Sequence, residues 1–288
     1  MSPARDKAFV LLQYLLPQHT LSRLTGVLAS SRLTFLKNWL IMRFIAAFGV
    51  DMREAAEPDP RAYANFNAFF TRALREGARP VDMAAEAIVS PADGAVSQAG
   101  SISAGRILQA KGRSYSVAEL LADDAEAAGF EGGSFATIYL SPRDYHRVHM
   151  PCHGRLTGLR YVPGRLFSVN GVTAESVPGL FARNERLVCR FETAHGPIAM
   201  VLVGAMVVAG IETVWTGPVT PAGRTVLSID LESDAAARTL AKGAEMGRFQ
   251  LGSTVILLLP RGVSAWDDQV VAAAPLRMGQ RIGGWKSA

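Results

Sequence analysis

The sequence predicts an α+β fold in which a β-rich body follows a helical N-terminal segment. Before residue 50, apolar residues recur at three- and four-residue spacing, which is typical of amphipathic helices. From about residue 88 onward, short β-branched runs alternate with Gly and Pro, which is typical of strands and turns. The 288 residues are 49% hydrophobic and 19% charged, so the chain can bury a sizeable core and is not a charge-driven disordered chain.

The pattern predicts three helices in the N-terminal segment. The first ends at Pro17, because proline breaks a helix, and Thr20 can cap the second. The third runs over about 33–48 and ends at Gly49. The residues of the third helix that we expect to face inward are Leu36, Trp39, Leu40, Phe44 and Ala47, with Lys37 and Arg43 at the border.

The excess positive charge lies entirely in the N-terminal segment. Residues 1–50 hold six basic residues and one acidic residue, whereas 51–288 hold 24 of each, and the net charge is +5. A neutral body argues against nucleic-acid binding, and we predict no nucleic-acid partner. A transmembrane span needs about 18 or more uninterrupted apolar residues, and none is expected here, because every candidate is broken by Gln13, Pro17, Arg23, Lys37 or Arg43. The helices either lie in a membrane interface, with their basic groups on anionic lipid, or pack as a layer on the body.

The rest of the chain is assigned to a linker, two helices and a series of strands. The linker is 51–63, which is polar and contains two prolines, and a short helix covers Asn65–Leu74. Ser116–Ala128 is predicted as a helix within the body. The predicted strands are Ala95–Ser97, Arg106–Ala110, Ala136–Leu140, Leu187–Phe191, Ile198–Val203, Met206–Val214, Thr225–Leu231 and Thr254–Leu259.

Three of the five histidines fall in one segment, SPRDYHRVHMPCH. His146 and His149 are three residues apart on a strand-like stretch, which places them on opposite faces and disfavours shared metal ligation. We therefore predict no metal site, although Cys152 lies nearby. Acid–base chemistry and a hydrogen-bonded structural corner remain open for this cluster. Ser141 before a proline resembles the start of a one-turn helix.

Two further segments could carry chemistry. Asp93 lies in SPADGAV, where Pro-x-Asp-Gly is a turn signal and a turn carboxylate can orient an imidazole. Gly252-Ser253-Thr254 opens an apolar strand and is not a hydrolase G-x-S-x-G elbow. It is either a glycine turn before a strand or a site for an acyl shift, because a glycine carbonyl is unhindered and a serine hydroxyl attacks when a base activates it.

Several motifs occur together in a fixed order: SPADGAV, ILQAKG, YLSPRDYHRVHMPC, YVPGRLFSVN, LFARNERLV, GAMVVAGIETVW and FQLGSTVILL. In this order they resemble the phosphatidylserine decarboxylases, over about residues 65–259. The LGST motif resembles the self-cleavage motif of that family. The N-terminal helices are similar to the membrane-associating segment of its bacterial members.

The resemblance implies a proenzyme that cleaves itself. Residues 1–50 would be the membrane-associating segment and 51–288 the catalytic domain. Cleavage between Gly252 and Ser253 would give a β chain of 1–252 and an α chain of 253–288, which stay associated. A homodimer is also implied, on the cytoplasmic face of the cell membrane, where the enzyme meets phosphatidylserine and an anionic surface.

The resemblance also implies a role for each site residue. Ser253 would attack the Gly252 carbonyl, with His149 as base and Asp93 as its orienting carboxylate, and the resulting ester would eliminate. Ser253 would become a covalent pyruvoyl group, which forms a Schiff base with the substrate and releases carbon dioxide. His146 would protonate the product, phosphatidylethanolamine, and Ser168 would line the substrate pocket. The activity would belong to phospholipid biosynthesis.

Two other functions stay open beside this one. The chain could be a non-catalytic protein whose basic helices bind anionic lipid, which the distribution of charge favours. It could also be a serine hydrolase that uses Ser253, His149 and Asp93 for ester turnover without cleaving itself.

Overall fold

The computed structural model describes residues 3–110, 112–206, 210–219, 223–229, 231, 234–250 and 253–285. The helices are α1 Pro3–Leu15, α2 Gln18–Ser30, α3 Thr34–Phe48, α4 Phe66–Phe70, α5 Val117–Leu121, α6 Asp124–Ala128, α7 Gly171–Ser176 and α8 Leu180–Arg183, with a 3-10 turn at Met52–Glu54. The strands are β1 Ala87–Val89, β2 Gly94–Ser101, β3 Arg106–Ala110, β4 Arg113–Ser116, β5 Ser134–Leu140, β6 Arg147–His149, β7 Gly154–Val162, β8 Arg186–Thr193, β9 Gly196–Val203, β10 Gly210–Thr213, β11 Gly217–Pro218, β12 Leu227–Ile229, β13 Thr239–Leu240, β14 Glu245–Gln250, β15 Ser253–Leu259, β16 Val263–Trp266, β17 Pro275–Leu276 and β18 Arg281–Trp285.

The body is built on one large antiparallel sheet. Its strands follow the order β12-β7-β8-β9-β15-β5-β2-β17, and β13 pairs with β7. A second sheet has the order β11-β10-β14-β6 and a third the order β1-β18-β16, while β3 and β4 form a hairpin. With 34% strand and 26% helix, the predicted fold class is confirmed.

Strand β15 lies at the centre of the large sheet and is covered on both faces. Successive side chains of a strand point to opposite faces, and here each face meets a different core. Val255 and Leu257 belong to one buried cluster, whereas Ile256 and Leu258 belong to the other. Burial on both sides explains why β15 reads as an unbroken apolar run.

The N-terminal helices pack on the body through polar and aromatic contacts. Gln13 accepts hydrogen bonds from Ser168, and Gln18 accepts one of 2.8 Å from the Leu166 amide. The side chain of Phe44, on α3, packs against the phenylalanines of α4. Across the part of the chain that the structure describes, no helix has the length and apolar character needed to cross a membrane.

Two sequence predictions about these helices were wrong. Helix α2 begins at Gln18, immediately after Pro17, so Thr20 lies inside the helix and does not cap it. On α3, Trp39 is 53% exposed whereas Lys37 is buried. The amine of Lys37 donates hydrogen bonds to Asn38 and to the Arg61 carbonyl, so its charge is satisfied inside the fold. The buried face of α3 therefore includes Lys37 and excludes Trp39.

The predicted helix over Ser116–Ala128 is two short helices. Ala122 ends α5 in the left-handed region with φ of 54°, and Asp123 caps α6 by accepting a hydrogen bond from the Glu126 amide. A capping aspartate offers the backbone an alternative partner and interrupts the helix.

Candidate active site

The SPADGAV motif forms a turn that leads into β2 and presents a buried carboxylate. The carboxylate of Asp93 accepts hydrogen bonds from Arg79 Nε at 2.8 and 3.0 Å, and the Met278 amide donates to it at 2.8 Å. Arg79 also binds Glu54 at 2.7 Å. Burial opposes the charge on Arg79, but its hydrogen bonds to the two carboxylates outweigh burial and raise its pKa above the usual range. Asp93 is thus fixed by a buried ion pair.

The glycine of this motif allows the turn to lie against strand β5. Gly94 has φ of 154°, and a Cβ atom at this position would lie 2.2 Å from the Tyr139 carbonyl oxygen. Only glycine fits such a close backbone approach, so the residue after Asp93 is dictated by packing.

His149 lies beside the Asp93 turn and has both ring nitrogens occupied. Its amide donates to the Pro91 carbonyl at 2.8 Å. Its Nδ1 is 2.8 Å from the Gly243 carbonyl, which can only accept, so Nδ1 carries the proton and Nε2 a lone pair. The Tyr145 hydroxyl donates to that Nε2 at 3.0 Å. Burial lowers the pKa of His149, so the ring is neutral at neutral pH.

The predicted Asp93–His149 pair is therefore adjacent through the backbone but is not joined by a hydrogen bond in the described residues. The carboxylate binds Arg79 and the imidazole binds Gly243 and Tyr145. Asp93 acts on His149 through its charge, which opposes the effect of burial on the pKa of the imidazole.

His146 is fully buried and offers one unused nitrogen. Its Nδ1 donates to the Asp144 carbonyl at 2.8 Å, which leaves a lone pair on Nε2. Nε2 is buried and has no hydrogen-bond partner among the described residues. The ring packs on Phe70, with centroids 4.0 Å apart. Burial lowers the pKa of His146 to about 3, so the ring is neutral at neutral pH and its Nε2 keeps a free lone pair.

Ser141 does not begin a helix, contrary to the sequence prediction. The Asp144 amide donates to the Ser141 carbonyl at 2.9 Å, and the Asp144 carboxylate accepts from the Ser141 amide at 2.7 Å. These two bonds close a turn, after which the chain enters the short strand that carries His149.

The predicted cleavage site falls at the start of β15. Gly252 lies outside the described residues, and so does the side chain of Ser253. The backbone of Ser253 pairs with Leu140, the residue before the Ser141–Asp144 turn. The topology thus brings the first residue of β15 to the segment that leads to His146 and His149.

Ser168 is placed elsewhere. Its amide and hydroxyl each donate to Gln13 at 2.8 Å, which attaches helix α1 to the body. Its assignment to the substrate pocket stays a prediction, and the described contacts of its hydroxyl are structural.

A cavity of about 580 Å³ opens beside Asp93. Tyr139 and Ser141, which flank the partner of Ser253, both line it. The other described residues at its wall include four arginines and four carboxylates: Arg72, Arg79, Arg143, Arg277, Asp51, Glu54, Asp93 and Asp144. Charged side chains of both signs line the cavity next to the start of β15, so it can admit a charged small group.

Metal ligation is not suggested by the described part of the chain, where no group of three or more His, Cys, Asp or Glu side chains could hold an ion. Burial raises the pKa of the Cys152 thiol to about 12, so this cysteine next to the histidines is not a thiolate. The chemistry available here is acid–base chemistry by the two neutral imidazoles.

Sequence reasoning missed the partners of the site residues. Tyr145 lies within the histidine motif and could have been noticed there, because tyrosine is a common partner of histidine. Arg79 and Gly243 carry no local signal, since their contacts with Asp93 and His149 depend on the tertiary fold.

Comparisons with known proteins agree with the motif order. A family model described as Phosphatidylserine decarboxylase matches residues 66–284, and one described as PSD matches 8–49. A phosphatidylserine decarboxylase proenzyme of Stutzerimonas stutzeri (strain A1501) is 58% identical over 281 residues, which cover 97% of this chain and 95% of the relative. Proteins with the same name are 59% identical in Pseudomonas aeruginosa (strain LESB58), with 96% of both chains covered, and 57% identical in Bordetella pertussis (strain Tohama I / ATCC BAA-589 / NCTC 13251), with 97% of this chain and 95% of the relative covered.

Proposed function

The chain belongs to the phosphatidylserine decarboxylase family, and from this premise we propose that it cleaves itself between Gly252 and Ser253 and then decarboxylates phosphatidylserine. The observation that carries the proposal is the pair of neutral, buried histidines near the start of β15. His146 and His149 each hold a proton on Nδ1 and a lone pair on Nε2. Two bases in one site suit two proton transfers, one in self-cleavage and one in turnover.

His149 is proposed as the base for self-cleavage. Its Nε2 would take the proton of the Ser253 hydroxyl once the Tyr145 hydroxyl gives way, while Gly243 keeps the ring in place. The serine oxygen bonds to the Gly252 carbonyl carbon, the peptide C–N bond breaks, and the nitrogen takes the proton. The charge of Asp93 favours the imidazolium that forms transiently.

Elimination would then release residue 252 with a free carboxylate, and water would convert the remaining dehydroalanine at 253 to a pyruvoyl group and ammonia. The described residues fit such a group, because none of them is a partner for the buried Nε2 of His146 and the Asp93 cavity adjoins the start of β15. A pyruvoyl carbonyl supplies an electron sink for the carbon–carbon bond that breaks in decarboxylation.

His146 is proposed to move the proton during turnover. It enters the reaction neutral, because burial holds its pKa at about 3. The negative charge of a bound headgroup would raise this pKa, and Nε2 could then accept a proton from the substrate ammonium as the amine reacts. It can return that proton to the substrate carbon after carbon dioxide has left, which gives phosphatidylethanolamine.

The α chain is proposed to stay bound after cleavage, because its first strand is the centre of the sheet. Residues of β15 pair with β5 from Ser253 to Leu259 and with β9 from Thr254 to Leu258. Breaking the chain before Ser253 leaves this pairing untouched. The homodimer that the resemblance implies stays a prediction.

We also propose that α1, α2 and α3 rest on the cytoplasmic face of an anionic membrane. Large apolar side chains on these helices are exposed, among them Leu15 at 75% and Phe35 at 85%. An apolar groove of about 570 Å³ lies between α2 and α3. Exposed apolar side chains beside basic ones are typical of helices in a membrane interface.

Intact-mass analysis and carbon dioxide release test the activity together. The wild-type protein is expected as two chains, 1–252 and 253–288, the second with a carbonyl at its N-terminus, and it should release carbon dioxide from carboxyl-labelled phosphatidylserine. Ser253→Ala should remain one chain and release none, while Ser101→Ala, at an exposed serine of the same sheet, should behave as wild type. An uncut chain that turns over esters would indicate the serine hydrolase instead.

A further inference from the structure

We propose that Arg72 binds the phosphate of the phosphatidylserine headgroup in the Asp93 cavity. This inference rests on the proposed function and adds the residue that holds the part of the substrate that does not react. Three features support it: Arg72 has unused hydrogen-bond donors, the other cations of the cavity are paired or exposed, and the cavity lies beside the start of β15.

Arg72 is a buried cation with unused hydrogen-bond donors. The residue is 4% exposed and lines the cavity. Its Nη2 donates to the Arg143 carbonyl at 3.2 Å, and its guanidinium lies 5.5 Å from the centre of the Phe69 ring. Its Nε and Nη1 are buried and have no partner among the described residues. Such donors are normally paired in a folded protein, so these two indicate an anion that binds there.

The neighbouring cations of the cavity are already paired or exposed. Arg79 binds Asp93 and Glu54, and Arg277 lies 3.3 Å from Glu54. Arg143 is an exposed residue. In the described part of the structure, Arg72 alone among the buried arginines of this cavity has no carboxylate in contact. Its planar fork matches two oxygens of a phosphate.

The cavity is placed where a headgroup would extend from the reacting centre. Tyr139 and Ser141 line it on either side of Leu140, the partner of Ser253. Arg72 follows Phe70 by two residues, and the Phe70 ring covers His146. Arg72 lines the same cavity as these two residues, so an amine bound at position 253 can extend its phosphate along the cavity toward Arg72.

The phosphate is a better partner for Arg72 than the carboxylate. The carboxylate charge disappears as carbon dioxide leaves, so a strong ion pair with it would stabilise the ground state and slow the reaction. The phosphate keeps its charge throughout. The contact between Arg72 and the phosphate stabilises the bound substrate and the transition state equally. Loss of this contact should therefore raise KM and leave kcat nearly unchanged.

The test compares a substrate and an inhibitor on processed enzyme. The substrate is phosphatidylserine in detergent micelles, and the inhibitor is glycerophosphoethanolamine, which keeps the phosphate and lacks the carboxylate. For Arg72→Gln we expect KM and the inhibition constant to rise together by about ten- to a hundred-fold, with kcat changed by less than about threefold. Arg113→Gln is the matched control, because that residue is exposed and does not line the cavity, and it should change neither constant.

Each other outcome decides against the proposal. A rise in KM with an unchanged inhibition constant would assign Arg72 to the carboxylate, and no change in either would make it structural. If Arg72→Gln is not processed, Arg72→Lys, which keeps the charge without the fork, is measured in the same way and should show a smaller joint rise. A wild-type enzyme that releases no carbon dioxide would refute the proposed function itself.

Discussion

Backbone carbonyls fix the same tautomer in the two histidines of this site. Nδ1 of His146 donates to the Asp144 carbonyl and Nδ1 of His149 donates to the Gly243 carbonyl, so each ring keeps a lone pair on Nε2. A carbonyl fixes the tautomer without adding a negative charge, unlike the carboxylate of a hydrolase triad. Burial then keeps both rings neutral. Both residues thus carry a lone pair on Nε2 at neutral pH.

At the residue scale, Tyr145→Phe should speed self-cleavage. The Tyr145 hydroxyl occupies Nε2 of His149, and burial raises its pKa to about 12, so it stays a donor. Removing one hydrogen bond worth about 1 kcal/mol frees the base, while Gly243 still orients the ring. We expect the rate of chain cleavage, followed by gel electrophoresis of freshly synthesised proenzyme, to rise about fivefold.

Tyr63→Phe is the matched control, because the Tyr63 hydroxyl donates to the Glu57 carbonyl at 2.7 Å and contacts no histidine. Its cleavage rate should equal that of the wild type. A tenfold or larger loss of cleavage in Tyr145→Phe alone would instead place the tyrosine in the path of the proton.

The buried histidines also predict how stability depends on pH. The pKa of His146 falls from 6.5 to about 3 on burial, so between these values the unfolded chain binds a proton that the folded chain does not. Stability is therefore lost as the pH falls through this window. One such proton contributes a slope of about 1.4 kcal/mol per pH unit. Urea unfolding from about pH 7 to about pH 4 should show a smaller slope in His146→Gln and an unchanged slope in His153→Gln, where the residue is exposed. Equal slopes in wild type and His146→Gln would contradict the buried neutral ring.

Individual residues could be predicted from sequence where the signal is local. The Asp93–Gly94 turn is encoded by adjacent residues and was found. Arg79, which binds Asp93, and Gly243, which binds His149, are distant in sequence and carry no pattern that would identify them. The triad-like hydrogen bond between Asp93 and His149 was expected from the resemblance, and the described geometry gives each residue a different partner.

At the element scale, the junction of β2 with β5 depends on Gly94. A Cβ atom there would lie 2.2 Å from the Tyr139 carbonyl oxygen, which is rigid backbone in the middle of the sheet. Gly94→Ala must therefore push β2 away from β5 and move the Asp93 turn. We expect a loss of about 2 kcal/mol or more in unfolding free energy and little self-cleavage, measured by thermal denaturation and intact mass.

Gly100→Ala provides the control within the same strand. Its added Cβ would lie 3.6 Å from the Phe135 ring, an ordinary contact, and its φ is not in the left-handed region. This variant should be cleaved and should unfold within about 1 kcal/mol of the wild type. Equal effects of the two substitutions would show that alanine destabilises β2 at either position, and that the close approach of Gly94 to Tyr139 is not the cause.

The elements that sequence could predict are those whose pattern is not interrupted. β5, β9 and β15 are apolar runs buried in the sheet, and their predicted spans differ from the observed ones by a few residues. β7 and β14 were missed because arginines and glycines interrupt their apolar pattern. In β7 the charge of Arg160 is paired with Asp123 and Glu126, which only the tertiary fold reveals.

At the scale of the whole molecule, charge and apolar exposure coincide on the N-terminal helices. The excess of five positive charges lies in residues 1–50, and the body is neutral. The same helices expose Leu24, Phe35 and Trp39 by 53% or more. A soluble surface would separate such side chains, so their grouping beside arginines favours an anionic lipid surface as the partner. The α1–α2 contacts with 164–168 would hold the body close to that surface.

The double variant Phe35→Ser/Trp39→Ser should therefore bind anionic vesicles much more weakly. The two side chains are 85% and 53% exposed, so the fold loses little when they change, whereas each contributes about 1.5–3 kcal/mol when buried in lipid. Sedimentation with phosphatidylglycerol vesicles should show a partition coefficient at least about tenfold lower. Met83→Ser, at a 68% exposed position outside the helices, should bind as wild type. Raising the salt concentration should weaken wild-type binding, because the basic groups of residues 1–50 are screened. Equal binding by the double variant would mean that these helices are a packing layer and that another surface meets the membrane.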